Sequence, residues 1–115
     1  MSDPVFVFGS NLAGRHGAGA ARWALENRGA IYGQGEGLQG NSYALPTKDE
    51  NICTLPLDRI RNHVNVFINY ALDHPEMIFQ LTPVGCGLAG LKREQIEPMF
   101  DRSPSNVLWP PEWSE

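Results

Sequence analysis

Apolar positions along this chain fall into short continuous runs that alternate with stripes at helical spacing. Val5 to Phe8 is an unbroken β-branched and aromatic run ended by Gly9, which predicts a buried strand. Gly9 to Gly19 carries loop chemistry. Ala18 to Asn27 predicts a helix, with Ala20, Ala21, Trp23, Ala24 and Leu25 mostly on one face and Arg28-Gly29 closing it. Tyr32 to Asn41, YGQGEGLQGN, has too many glycines for a helix or a central strand and predicts a mobile loop. Ser42 to Leu45 is a second short strand, stopped by Pro46-Thr47-Lys48-Asp49. Ile60, Val64, Phe67, Ile68 and Ala71 mark a helix from Leu57 to about Leu72, ended by Asp73-His74-Pro75. Met77 to Leu81 predicts a third strand leading into the loop Pro83 to Gly90. Arg93 to Phe100 predicts a helix with Ile96, Met99 and Phe100 inward, and Asn106 to Trp109 a last edge strand before a Pro-rich tail.

Strands alternating with helices predict an α/β architecture: three layers, with a mixed, largely parallel central sheet flanked by helices. Ligands of such sheets sit outside the carboxyl ends of the strands. Both glycine-rich loops follow strands directly, so they are expected to converge on one cleft.

Composition narrows the partners. The 115 residues are one domain's worth, 42% apolar and 19% charged, as in ordinary globular proteins. No apolar run reaches the roughly 20 residues that span a bilayer, and MSDPVFVFGS has neither the basic nor the apolar region of a signal peptide. Cys53 and Cys86 do not form a disulfide framework, which fits a reducing cytoplasm. The formal charge is −4 with no cluster of Lys or Arg, which disfavours a nucleic-acid backbone as partner. A small anionic ligand remains open, because backbone N–H groups hold phosphate without basic side chains.

Two segments carry candidate chemistry. The first runs Gly9-Ser10-Asn11-Leu12-Ala13-Gly14-Arg15-His16-Gly17-Ala18-Gly19 between a strand and a helix. Gly14, Gly17 and Gly19 allow positive φ and close backbone approach, and the helix starting near Ala18 would aim its free N–H groups at phosphate. Its spacing matches neither a Walker A loop nor the Rossmann fingerprint. The second segment, Gly85-Cys86-Gly87-Leu88-Ala89-Gly90, again joins a strand to a helix. A purely structural turn would account for one or two of these glycines, and a ligand accounts for the whole set better.

Taken together these segments resemble the macrodomain family, most closely its ADP-ribosyl-glycohydrolase branch. The resemblance rests on N-x-x-G-x-x-G-x-G-x-A at Asn11, Gly14, Gly17, Gly19 and Ala21. It extends to the T-K pair Thr47-Lys48 and to the G-C-G-x-x-G-L run from Gly85 to Leu91, covering roughly Val5 to Phe100 in the family's order. It implies a macrodomain-like fold that binds ADP-ribose or a related nucleotide. Asn11 would face the distal ribose, the Gly14 to Gly19 loop the ribose and diphosphate, and Gly85 to Gly90 the phosphates from the other side. Lys48 matches a catalytic lysine of that branch, whose amine would attack the anomeric carbon or stabilise the charge leaving it while Asn11 places the ribose. Cleavage of an ADP-ribosyl bond or of an ADP-ribose phosphate ester is thereby implied, with an ADP-ribosylated macromolecule as partner. Two departures stand out: no G-D-[IL] segment precedes the Asn11 strand, and Ala89 occupies the place of an aspartate that assists the lysine in one subgroup.

Alternatives stay open beside this. The domain can be a non-catalytic nucleotide sensor, or a Rossmann-like nucleotide-processing protein. Lys48 can equally be a solvated strand-end lysine. His16 is either a phosphate ligand or a solvent-facing loop residue. Cys86 reads as a small packing residue rather than a nucleophile, having no His or acid beside it in sequence. Trp109 and Trp113 either pack the tail onto the body or make a dimer contact. Three scattered histidines without paired cysteines point to no metal, and no cofactor is expected.

Overall fold

The first strand, β1 (Val5–Asn11), sorts its side chains by the two-residue period of an extended chain. Val5 and Val7 face one side of the sheet and Phe6 and Phe8 the other, and a separate apolar cluster lies on each side. The computed structural model describes residues 3–114. Helix α1 (Gly19–Asn27) follows β1, then β2 (Gly37–Gln39), β3 (Ser42–Lys48), α2 (Leu57–Asp73) and β4 (Phe79–Leu81). A short helix, α3 (Arg93–Ile96), runs on as a 3-10 turn (Glu97–Phe100). The chain ends with β5 (Val107–Leu108) and a second 3-10 turn (Pro111–Ser114).

The five strands form one sheet in the order β2-β3-β1-β4-β5. All neighbours are parallel except the β2–β3 pair. The architecture is a three-layer α/β fold with a mixed, mostly parallel sheet, as the alternation of strands and helices predicts.

The two apolar clusters flanking the sheet differ in size and in residue type. On the α1 side, the small residues Ala21, Ala24, Ala30 and Ala44 cluster with Phe8. The α2 side holds the larger core: Ile60, Val64, Phe67, Ile68 and Ala71 recur at helical spacing and are buried. They meet Tyr43, Leu45, Phe79 and Leu81 from the sheet. Phe67 lies edge-on to both Tyr43 and Phe79, at 4.9 and 5.4 Å between ring centroids.

Several predicted elements differ from the structure. Strands β1 and β3 each run three residues past their predicted ends, to Asn11 and Lys48, because Gly9 to Asn11 pair with Leu45 to Lys48 in the parallel ladder. The glycine-rich segment Tyr32 to Asn41 is not all loop, because Gly37–Gln39 pairs antiparallel with Ser42–Ala44 through its backbone. Strand β4 begins at Phe79 rather than Met77, after Met77 N–H has closed a turn onto the His74 carbonyl. The helix predicted over Arg93 to Phe100 tightens to 3-10 geometry at Glu97, where Pro98 supplies no N–H. Among the described residues no helix is long and apolar enough to cross a membrane.

Candidate functional site

At the carboxyl ends of β1, β3 and β4 lies a cleft of about 990 Å³. The loop after β1 forms one wall and the loop after β4 the facing one, so both glycine-rich segments open on the same space. This is the sheet edge at which parallel α/β folds bind their ligands.

The β1 side is built on Asn11. Its amide donates to the Arg15 carbonyl at 3.0 Å and its side-chain oxygen accepts the Arg15 N–H at 2.9 Å, closing a tight loop. Beyond it the chain reaches α1 in an extended conformation at Ala18, and no side chain caps the helix. The first-turn N–H groups of Gly19, Ala20 and Ala21 therefore meet no protein acceptor among the described residues, and these three residues line the cleft. No acidic residue offsets the positive end of the helix in that turn.

The β4 side repeats the theme with a different loop. Gly85 takes a φ of 78°, and Leu91 N–H closes back on the Gly85 carbonyl at 2.9 Å. Within this closed loop the N–H groups of Gly87, Leu88 and Ala89 meet no protein acceptor among the described residues. Runs of backbone amides left without a protein acceptor are a feature of anion-binding loops.

The strand between these walls delivers Lys48. A register irregularity after Ser10 skips Thr47 and sets Lys48 directly across from Asn11. The skipped Thr47 is buried, its hydroxyl 3.4 Å from the Ser10 carbonyl. No carboxylate pairs with the Lys48 ammonium among the described residues. The adjacent Asp49 is committed elsewhere, accepting the N–H groups of Asn51 and Cys53 at 2.8 and 3.0 Å. Lys48 and Arg15 thus bring two unpaired cations to the cleft.

Of the residues predicted from sequence, Gly9, Ser10, Asn11, Gly17, Ala18, Gly19, Lys48 and the run Gly85 to Ala89 line this cleft. Gly14, His16 and Gly90 do not. His16 requires a correction, because the residue is only 1% exposed and does not line the cleft. Its Nε2 sits 3.1 Å from both the Gln34 carbonyl and Gln39 Oε1, while the ring lies edge-on to Phe8. Gln39 donates its amide N–H groups to the Gln34 and Gly37 carbonyls. His16 is thus a clasp between the first loop and β2, neither a phosphate ligand nor solvent-facing. Gly14 belongs to the same junction, since a Cβ there would come within 2.4 Å of the Gly33–Gln34 backbone.

Cys86 is half-buried. Burial, with the Glu94 carboxylate adding to it, pushes its thiol pKa up, the opposite of an activated nucleophile. Trp113 packs against Phe100 and Trp109 and is buried, so the tail folds back onto the body. It is held there by Arg93, whose guanidinium donates to the Glu112 and Trp113 carbonyls at 2.8 and 2.6 Å and pairs with Glu97.

The sequence did not single out Arg15, Ile52, Thr82, Arg93 or Trp113 as part of the cleft. Trp113 reaches it only through the folded tail, which no local pattern encodes.

No family profile matches the chain, and no curated protein matches it. Two solved structures from Bacteroides thetaiotaomicron share the fold. One, a protein of unknown function, superposes with a TM-score of 0.56 at 15% identity, covering 96% of this chain and 90% of that one. The second gives a TM-score of 0.50 at 17% identity, covering 95% of this chain and 91% of that one. At these identities the likeness concerns the fold alone.

Proposed function

We propose that the cleft binds ADP-ribose or a closely related nucleotide, as a macrodomain does. The observation that carries this is the convergence of two sets of unpaired backbone N–H groups on one opening. The first turn of α1 supplies one set and the Gly87 to Ala89 loop the other. A diphosphate lying between them would accept hydrogen bonds from both walls and sit at the positive end of α1. Arg15 and Lys48 add charge where the backbone supplies direction.

The absence of a competing carboxylate beside Lys48 favours a second, catalytic reading on the same site. Its ammonium, across the sheet from Asn11, would stabilise the negative charge on the departing acceptor of an ADP-ribosyl group as the anomeric bond breaks and water adds to the anomeric carbon, with ADP-ribose as the first product. The macromolecule released would be the second product.

Calorimetric titration with ADP-ribose, with AMP, NAD and ribose 5-phosphate as comparisons, tests the binding reading. Gly87 is the informative position, since it lines the cleft and a Cβ there would meet nothing within 4 Å. Micromolar binding of ADP-ribose that Gly87→Leu abolishes is the expected result. Failure of the wild-type protein to bind any of the four ligands would remove the proposal.

A further inference from the structure

Ile52 is the one non-glycine residue with positive φ among the described residues, at 64°. A β-branched side chain is among the least suited to that region, because its Cβ substituents crowd the following carbonyl. Strain of this kind is tolerated in a core when packing compensates for it. Ile52 has no such compensation: its side chain is 40% exposed and lies on the cleft wall. The turn that holds it is rigid, with the Asp49 carboxylate accepting the Asn51 and Cys53 N–H groups and Ile52 N–H closing on the Asp49 carbonyl at 3.1 Å.

A second aliphatic side chain stands on the facing loop. Leu88 is 69% exposed, the most of any large apolar residue described, and it too lines the cleft. Its Cδ1 lies 3.3 Å from the position a Cβ would take on Gly19, so it reaches across to the first turn of α1. The two loops are also fixed relative to one another, because Thr54 donates its hydroxyl proton to the Ala89 carbonyl at 2.8 Å. Thr54 lies two residues beyond Ile52 and Ala89 one beyond Leu88, so that bond ties together the two segments that carry the apolar side chains.

We infer that Ile52 and Leu88 are specificity residues that clasp the flat apolar face of the nucleobase at the mouth of the cleft. The inference rests on the nucleotide reading of the same site, and extends it from the phosphates and ribose to the ring. The left-handed turn directs an aliphatic side chain toward the cleft that the fold itself does not need there. The two side chains offer no hydrogen bonds, so they select for a planar ring without reading its edge.

Ile52→Asn tests this while keeping the turn, because Asn accepts the left-handed region far better than Ile. Leu88→Ala tests the facing side chain. Each protein is titrated calorimetrically with ADP-ribose, AMP and ribose 5-phosphate, the last two differing in whether they carry the base. The wild-type chain is expected to bind AMP more tightly than ribose 5-phosphate. Each variant is expected to lose about tenfold in affinity for AMP and ADP-ribose, the scale of one aliphatic contact, with ribose 5-phosphate unchanged. Ile52→Asn should also melt no lower than wild type, since it relieves strain. Unchanged AMP affinity, or an equal loss for both phosphates, overturns the clasp. Wild-type binding of ribose 5-phosphate as tight as that of AMP overturns it while leaving the phosphate cradle standing. Binding of none of the three removes the nucleotide reading itself, and the clasp with it.

Discussion

Asn11 spends both polar atoms of its side chain on the backbone of one residue, Arg15, at 3.0 and 2.9 Å. The amide therefore shapes the first loop, and its contribution to a bound sugar comes through that shape. Asn11→Ala removes both bonds at a position only 7% exposed, and is expected to lower stability by about 1–3 kcal/mol. Asn11→Asp keeps the acceptor for Arg15 N–H and loses the donor, so it should fall between wild type and Ala. Thermal denaturation of the three proteins gives the order directly.

The glycines of the two loops divide into two groups with opposite behaviour. Gly14 has a φ of 71°, and a Cβ there would meet the Gly33–Gln34 backbone at 2.4 Å. Gly14→Ala is expected to destabilise the fold by upwards of about 1 kcal/mol, lowering the melting temperature. Gly87→Leu should leave the melting temperature close to wild type while abolishing ADP-ribose binding. If both variants lose binding only in proportion to lost stability, the second loop is structural rather than a cradle.

Lys48 forms no ion pair among the described residues, so removing its ammonium should cost the fold little. Lys48→Ala is expected to stay within about 0.5 kcal/mol of wild type. Hydrolysis of an ADP-ribosylated substrate should nonetheless fall by at least about a hundredfold if the amine takes part in the chemistry. A rate unchanged by the substitution would exclude the lysine mechanism and leave a binding module.

Cys86 and Cys53 provide a pH-dependent contrast. A pKa raised by burial and by the Glu94 carboxylate means that less Cys86 thiolate is present at neutral pH than for an ordinary thiol. Cys53 is exposed. Iodoacetamide labelling followed by mass spectrometry should modify Cys53 first at neutral pH. Cys86 should follow only as the pH climbs beyond the usual thiol range. Faster labelling of Cys86 at neutral pH would contradict its protected state.

The sequence was most legible where one periodicity dominated. Val5 to Phe8 and the stripe from Ile60 to Ala71 are read correctly because each buries its apolar face and nothing competes. The convergence of the two glycine loops followed from their shared position after parallel strands. What stayed hidden depends on contacts between distant segments. Strand β2 is three residues long, led by Gly37, and is held by pairing with β3, which no local pattern announces. His16 looked like a loop residue among glycines, and only the arrival of Gln34 and Gln39 explains its burial. Ile52 gave no sign of its left-handed backbone, because the turn is imposed by the Asp49 carboxylate.

The two unpaired cations of the cleft, Lys48 and Arg15, sit in a chain whose formal charge is −4. An incoming anion therefore feels repulsion at long range and attraction only near the opening. The Debye length at physiological ionic strength, roughly 8 Å, is short enough to damp the first effect more than the second. Moderate salt should speed encounter with a polyanionic ligand even as it weakens the contacts made after arrival. Screening would then act as an aid to capture, the reverse of the usual behaviour of basic proteins that are steered onto their anionic targets.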